Sequence, residues 1–115
     1  MLDENWKMNE DTIQLTFKNW CDKQDKILAH WHVANERQTS LKTGAYLKAL
    51  GVKKGVPDYW VLLKNKKLLV IEFKTEKGVV STEQKKFLQI LSSCDILNRV
   101  CRSSHEAVLF VKENW

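Results

Sequence analysis

A chain of 115 residues with one proline and four glycines has little room for a flexible linker. Its 43% hydrophobic and 29% charged content is that of an ordinary globular domain. The three cysteines, Cys21, Cys94 and Cys101, are odd in number and show no CxxC spacing. That excludes a disulfide scaffold and points to a reducing, intracellular setting. Nowhere do about 18 apolar residues run together, and Met1 to Lys7 lack the apolar stretch of a signal peptide. Together these absences predict one soluble domain over residues 1–115, cytoplasmic, or nuclear in a source with a nucleus, with no membrane partner.

What the chain does have is positive charge. A net charge of +5 and a pI near 9.2 suit a polyanionic partner. Lys42, Lys48, Lys53 and Lys54 lead up to Pro57-Asp58, and Lys64, Lys66 and Lys67 follow it. Lysines gathered beside acidic residues resemble a phosphate-binding rim, although a solvated surface is the commoner fate of lysine.

The hydrophobic spacing predicts the order α, β, α, β, β, α, β, α. Asn9 is placed to cap a first helix running to about Gln24, with Ile13, Phe17, Trp20 and Cys21 on one face. With residues set about 100° apart, Glu10 falls in the middle of that buried stripe and Asp11 falls outside it. His30 to Ala34 reads as a short strand, Leu41 to Leu50 as a helix ended by Gly51, and Tyr59–Lys64 and Lys67–Lys74 as a hairpin. Ser81 and Gln84 have the spacing of a capping box for a helix to Ser93, with Phe87, Leu88, Ile90 and Leu91 inward. Asn98 to Arg102 is a further strand candidate. Ser103 and Glu106 repeat the capping-box spacing ahead of Ala107, Phe110 and Val111. The fold class is α/β, a central sheet flanked by helices.

Within the hairpin, Asp58, Glu72 and Lys74 are charges on otherwise apolar strands, and burying unpaired charge costs several kcal/mol. Glu72 and Lys74 lie two apart and share a face. A three-residue turn at Asn65 to Lys67 sets Asp58 opposite Lys74 and Trp60 opposite Glu72, whereas a two-residue turn puts Asp58 on the wrong face. An odd-length turn, or a bulge near Pro57, is therefore expected. Two adjacent carboxylates call for a cation, and hard oxygen donors suit Mg²⁺, with Mn²⁺ as substitute. Convergent Cys and His are too few for zinc, and His30-Trp31-His32 reads as a strand with one exposed imidazole. Lys74 beside such an ion suits metal-assisted phosphodiester hydrolysis, with Glu10 as third carboxylate, directly or through water.

The runs Gly55-Val56-Pro57-Asp58, Ile71-Glu72-Phe73-Lys74-Thr75 and Ser81-Thr82-Glu83-Gln84-Lys85 resemble the VRR-NUC (virus-type replication-repair nuclease) family of the PD-(D/E)xK nuclease superfamily. Gly44, Leu47 to Gly51 and Ser103 to Ala107 extend the likeness over nearly the whole chain. It implies a restriction-endonuclease-like core with a mixed sheet and a central Glu-x-Lys strand. It also implies metal ligation by Asp58, Glu72 and the Phe73 backbone carbonyl, Lys74 as catalytic lysine, Glu10 as the first-helix glutamate and Gln84 as the motif glutamine. Adjacent Glu10 and Asp11 depart slightly from the pattern. Ala34-Asn35-Glu36 lacks the family's proline, which leaves Asn35 without an assigned role.

The expected function is a DNA endonuclease that reads phosphates and shape and so cuts by structure; the resemblance implies branched DNA such as Holliday junctions and a homodimer, since stand-alone members of the family resemble homodimeric junction resolvases and two symmetric strands need two sites. A phage-encoded copy would act in the host cytoplasm. Two alternatives stay open: a sequence-specific restriction-type nuclease, which this chain is short for, and a catalytically silent nucleic-acid-binding module or nuclease subunit. Local explanations compete at several positions, since Asp58 suits a turn, Lys74 a solvated strand end and Gln84 a helix cap. Trp6, Trp20, Trp31, Trp60 and Trp115 read mainly as core or edge packing rather than as base-stacking residues.

Overall fold

The computed structural model describes residues 9–34 and 41–115, with the side chains of Leu41 and Lys42 set aside. Trp6, Asn35 and Glu36 lie outside the described residues. Eight elements follow in the expected order: α1 (Glu10–Cys21), β1 (Ile27–His32), α2 (Leu41–Ala49), β2 (Tyr59–Leu63), β3 (Leu68–Phe73), α3 (Thr82–Ser93), β4 (Leu97–Cys101) and α4 (Ser104–Asn114). The sheet order is β1-β2-β3-β4, antiparallel except for the parallel β3–β4 pair. It is a mixed sheet flanked by helices, as the α/β pattern required.

The main core lies on one sheet face. Tyr59, Val61, Leu63, Leu69, Ile71, Phe73 and Cys101 pack there against Ile13, Phe17 and Cys21 of α1 and Ala107, Phe110 and Val111 of α4. These positions alternate along β2 and β3, as period-two strands demand. Cys21 and Cys101 are buried thiols, pushed up to about 12 mainly by desolvation, so they act as small hydrophobes. The opposite face carries Trp60, Leu62, Val70 and Glu72, with α3 against β4. β3, buried from Leu69 to Phe73, is the central strand.

Several boundaries shift for tertiary reasons. β1 starts at Ile27, three residues before the predicted strand, because the Lys64 N–H donates to the Lys26 carbonyl and a bulge between Ile27 and Ala29 extends pairing with β2. α1 closes at Cys21, and Lys23 and Gln24 turn back onto the Trp20 and Cys21 carbonyls. Ile90 is 53% exposed instead of inward, because the stripe on α3 runs through Phe87, Leu88 and Leu91 and leaves Ile90 on its flank.

The hairpin turn has three residues, one position earlier than predicted: Lys64, Asn65 and Lys66. The Lys66 N–H donates to the Leu63 carbonyl and the Leu63 N–H to the Lys67 carbonyl. Positive φ falls on Lys66, at 74°, while the Asn65 side chain accepts from the Lys67 N–H. The pairing Tyr59↔Ile71 through Leu62↔Leu68 therefore sets Asp58, one residue beyond the ladder, opposite Glu72 rather than Lys74. The predicted parity holds and the register moves by two residues. Asp58 and Glu72 share the face away from the main core.

One end of the sheet collects everything that matters for chemistry. There β2 begins, β3 and β4 end, and α1, α3 and α4 begin. Gly55 brings α3 into this corner: its φ is +84°, and a Cβ there would stand 2.6 Å from the Glu83 carbonyl carbon and 2.9 Å from the Gln84 nitrogen. Only a residue without a side chain lets the chain before Asp58 lie on the first turn of α3.

Gly55→Ala is therefore expected to lower the urea midpoint by more than Gly51→Ala. Both residues have positive φ, but a Cβ at Gly51 meets nothing within 4 Å among the described residues, so Gly51→Ala bears only the backbone cost of about 1–2 kcal/mol. Equal midpoints for the two variants would show that the Gly55–Glu83 approach is unimportant.

Candidate metal centre

Each acidic side chain arrives from a different element. Glu10 opens α1, held by the Asn9 cap whose side chain accepts from the Thr12 N–H at 2.8 Å. Asp58 follows the buried Pro57, which fixes an extended backbone into β2. Glu72 is the penultimate residue of β3 and is only 1% exposed. One carboxylate oxygen from each of the three lies within 4.8 Å of the others. Asp11, one position from Glu10, has no part in this group.

Asp58 is fixed at both of its ends. Its Oδ2 accepts from the Phe73 N–H at 2.9 Å, which bridges the start of β2 to the end of β3. Its carbonyl accepts from the Val33 N–H at 2.8 Å and meets His32 Nδ1 at 2.8 Å. His32 is the exposed imidazole of the His30-Trp31-His32 strand. His30 instead is enclosed between the Asp22 carboxylate at 2.9 Å and the Tyr59 hydroxyl at 2.7 Å. Neither histidine belongs to the carboxylate cluster, in keeping with a hard-ion site rather than zinc.

Gln84 serves as helix cap and site residue at once. Its Oε1 accepts from the Ser81 N–H at 2.8 Å, its own N–H donates to Ser81 Oγ at 3.1 Å, and its Nε2 donates to Glu72 Oε2 at 3.1 Å. The capping box thus aims an amide donor at the buried carboxylate. Lys74 Nζ approaches the same Oε2 to 3.8 Å with its side chain 13% exposed, so it points into the site rather than into solvent. Phe73 buries its ring in the core while its backbone serves the site.

The partners of Glu72 do not suffice. Oε1 is shut off from water and has no hydrogen-bond partner among the described residues, a condition that costs about 1–3 kcal/mol or more for a charged group. Desolvation, then the Asp58 carboxylate beside it, pushes the Glu72 carboxyl up to about 9 from 4.5, with Glu10 adding to the rise and Lys74 opposing it. A proton or a cation must therefore accompany these carboxylates. Three convergent carboxylate oxygens, one of them orphaned, fit a hard divalent ion.

Three supporting residues were not read from the sequence as parts of this site. Gly55 seats α3, and His32 holds the Asp58 carbonyl. Arg102 donates from Nη1 to the carbonyls of Thr75, Glu76 and Gly78 at 2.8, 3.2 and 2.7 Å, fixing the loop between Lys74 and Ser81. Only Gly55 carried a signal, as the glycine of Gly-x-Pro-Asp. The Ser103 Oγ accepts from the Glu106 N–H as expected, but Glu106 reaches back to the N–H of Arg102 rather than to that of Ser103, so this cap anchors Arg102 as well.

The model of the VRR-NUC domain family matches residues 1–105. A solved structure described as a VRR_NUC domain protein superposes with a TM-score of 0.74 at 20% identity, covering 92% of this chain and 87% of that one. At that identity the likeness bears on the fold alone. A search of curated proteins returns no match.

The sign of the pH dependence follows from the raised carboxyl. Its folded pKa lies above its unfolded one, so without metal its contribution to stability is full below about pH 4.5 and is lost as pH climbs toward 9. Melting in EDTA should therefore weaken over this range, and Glu72→Gln should flatten the trend and melt higher near neutral pH. Mg²⁺ or Mn²⁺ at a hundredfold excess over its Kd should stabilise the parent by about 2.7 kcal/mol, more at high pH than at low, and Glu72→Gln little. A parent melting temperature indifferent to both ions across this range would refute the site.

Proposed function

The chain belongs to the VRR-NUC family of nuclease domains, and from that premise we propose that it is a Mg²⁺- or Mn²⁺-dependent DNA endonuclease, selective for branched DNA and acting as a homodimer. The observation that carries the metal dependence is the orphaned Oε1 of Glu72 within a group of three carboxylates. Asp58, Glu72 and the Phe73 backbone carbonyl would hold the ion, with Glu10 directly or through water. When bound, such an ion lowers the pKa of a coordinated water and polarises a phosphoryl oxygen.

The chain's own groups account for the rest of the chemistry. Lys74 lies beside Glu72 and is placed to hold the attacking water by hydrogen bonding, or to offset the extra negative charge gained by phosphorus in an in-line attack. Gln84 keeps the Glu72 carboxylate in one orientation, and the Phe73 N–H does the same for Asp58. Misplacement of either ligand would separate the reacting atoms, and orientation is worth several orders of magnitude in such reactions. The net charge of +5 and exposed Lys53, Lys54, Lys66 and Lys67 favour a phosphate backbone.

Selectivity for branched DNA rests on the smallness of the core, which offers phosphate and shape contacts more readily than base-edge contacts. Dimerisation follows from the symmetry of a junction, whose two cuts need two centres. Among the described residues no helix is long and apolar enough to cross a membrane.

Four-way junction, flap, duplex and single-stranded DNA incubated with Mg²⁺, Mn²⁺ or EDTA test this reading. Metal-dependent cleavage is expected, with paired symmetric nicks on junctions and a dimeric mass by sedimentation. Lys74→Ala should slow cleavage by about 10²–10³ while keeping the metal-induced rise in melting temperature. Cutting that survives EDTA or the Lys74 change contradicts the mechanism, and binding without cutting under either metal favours a silent module.

A further inference from the structure

The four tryptophans among the described residues divide into two kinds. Trp20 and Trp115 stack at 5.8 Å and pack against the main core. Trp31 and Trp60 do not: their rings stack at 6.4 Å with planes 19° apart, and neither belongs to that core nor to the half-buried residues packed on it. Trp31 is 41% exposed. Core packing therefore explains the first pair and not the second.

Register locates the second pair. Trp31 pairs with Trp60 and Trp60 with Val70, so both indoles stand on the face that carries Glu72. The next row toward the open end of the sheet holds Val33, Asp58 and Glu72, since the Val33 N–H donates to the Asp58 carbonyl and Asp58 lies opposite Glu72. Two residues along a strand is about 7 Å, so the indoles flank the carboxylates by one step on the same surface. The Trp60 ring is held there by its Nε1–H, which donates to the Pro57 carbonyl at 3.1 Å. That peptide adjoins Asp58, so ring and ligand are positioned by the same turn.

We propose that Trp31, stacked on the pinned Trp60, is a platform for an unpaired nucleobase of the DNA strand whose phosphate lies at the carboxylate cluster. The occupant follows from continuity. A phosphodiester at Asp58 and Glu72 has a sugar and base attached on either side, and a flat apolar surface one row away meets the π-face of a base without reading its identity. Within a paired duplex that base face is covered by its neighbours, so the platform favours strands opened at a junction, flap or gap. A duplex gains nothing from it. The inference rests on the nuclease reading and deepens it, naming the feature of the substrate that is recognised.

The test uses the full chain with Ca²⁺ replacing Mg²⁺, so that binding is read without turnover, on gapped DNA, on the same DNA with an abasic site beside the cleavage position, and on blunt duplex. Trp31→Ala should weaken binding to the gapped DNA by roughly 5- to 150-fold, the range for loss of one stacked base, and Trp31→Phe should recover most of it. The abasic site should cost the parent a similar factor and cost Trp31→Ala almost nothing more. Retention of the metal-induced melting shift in Trp31→Ala shows that fold and carboxylates are intact. Parental affinity of Trp31→Ala on gapped DNA, in a protein that still cuts, overturns the platform and leaves the nuclease reading standing. Equal loss on blunt duplex also overturns it, as does a change in sedimented mass without a change in affinity, which would make the occupant a second copy. A parent that binds metal but neither binds nor cuts any of these DNAs overturns both readings.

Discussion

A carboxylate enclosed on a central strand must be compensated, and Glu72 is that carboxylate. Asp58, directly across the hairpin, deepens the requirement instead of relieving it. The Gln84 amide and the Lys74 ammonium both address Oε2, which leaves Oε1 without a partner among the described residues. The sheet carries this arrangement because β3 is held on both sides, antiparallel to β2 and parallel to β4, so its end cannot move to relieve the charge. Buried charge of this kind is retained for chemistry more readily than for stability.

Support for the site is distributed so that local and long-range structure act through the same atoms. The α3 capping box is a local device, yet its glutamine reaches Glu72 on another element. The turn before β2 is also local, yet it positions Asp58 and the Trp60 ring together. Arg102, at the β4–α4 junction, fixes the loop joining Lys74 to the α3 cap. Displacing any one of these segments would be felt at a carboxylate.

Most of this was legible where chemistry and periodicity coincide. Asp58, Glu72 and Lys74 stand out because apolar strands have no use for them, and Glu10 because the helical period puts it among Ile13, Phe17 and Cys21. Asn9, Ser81 and Ser103 cap their helices as their spacing requires. The parity of the hairpin could be deduced, since an even shift keeps faces and an odd one exchanges them. Its register could not, because a three-residue turn can begin at Lys64 or at Asn65 with the same parity, and only the folded hairpin, with Leu63 paired to Lys67 and the positive φ on Lys66, selects the first. The start of β1 was hidden for a similar reason, being set by pairing with β2 and not by its own pattern. Arg102 and His32 gave no signal, since both act through backbone carbonyls whose proximity exists only in the folded chain.

Element order has an electrostatic result that no side chain reveals. Because β3 and β4 are parallel and β2 runs the other way, the first turns of α1, α3 and α4 are brought to the end of the sheet where the carboxylates lie. Each helix carries about half a positive charge at its amino end. Glu10 and Asp11 offset this at α1, Glu83 at α3 and Glu106 at α4, but the peptide dipoles themselves are fixed by the backbone. Part of the field that meets an incoming polyanion is thus built into the topology, and it would persist in a chain whose surface lysines had all been exchanged for neutral residues.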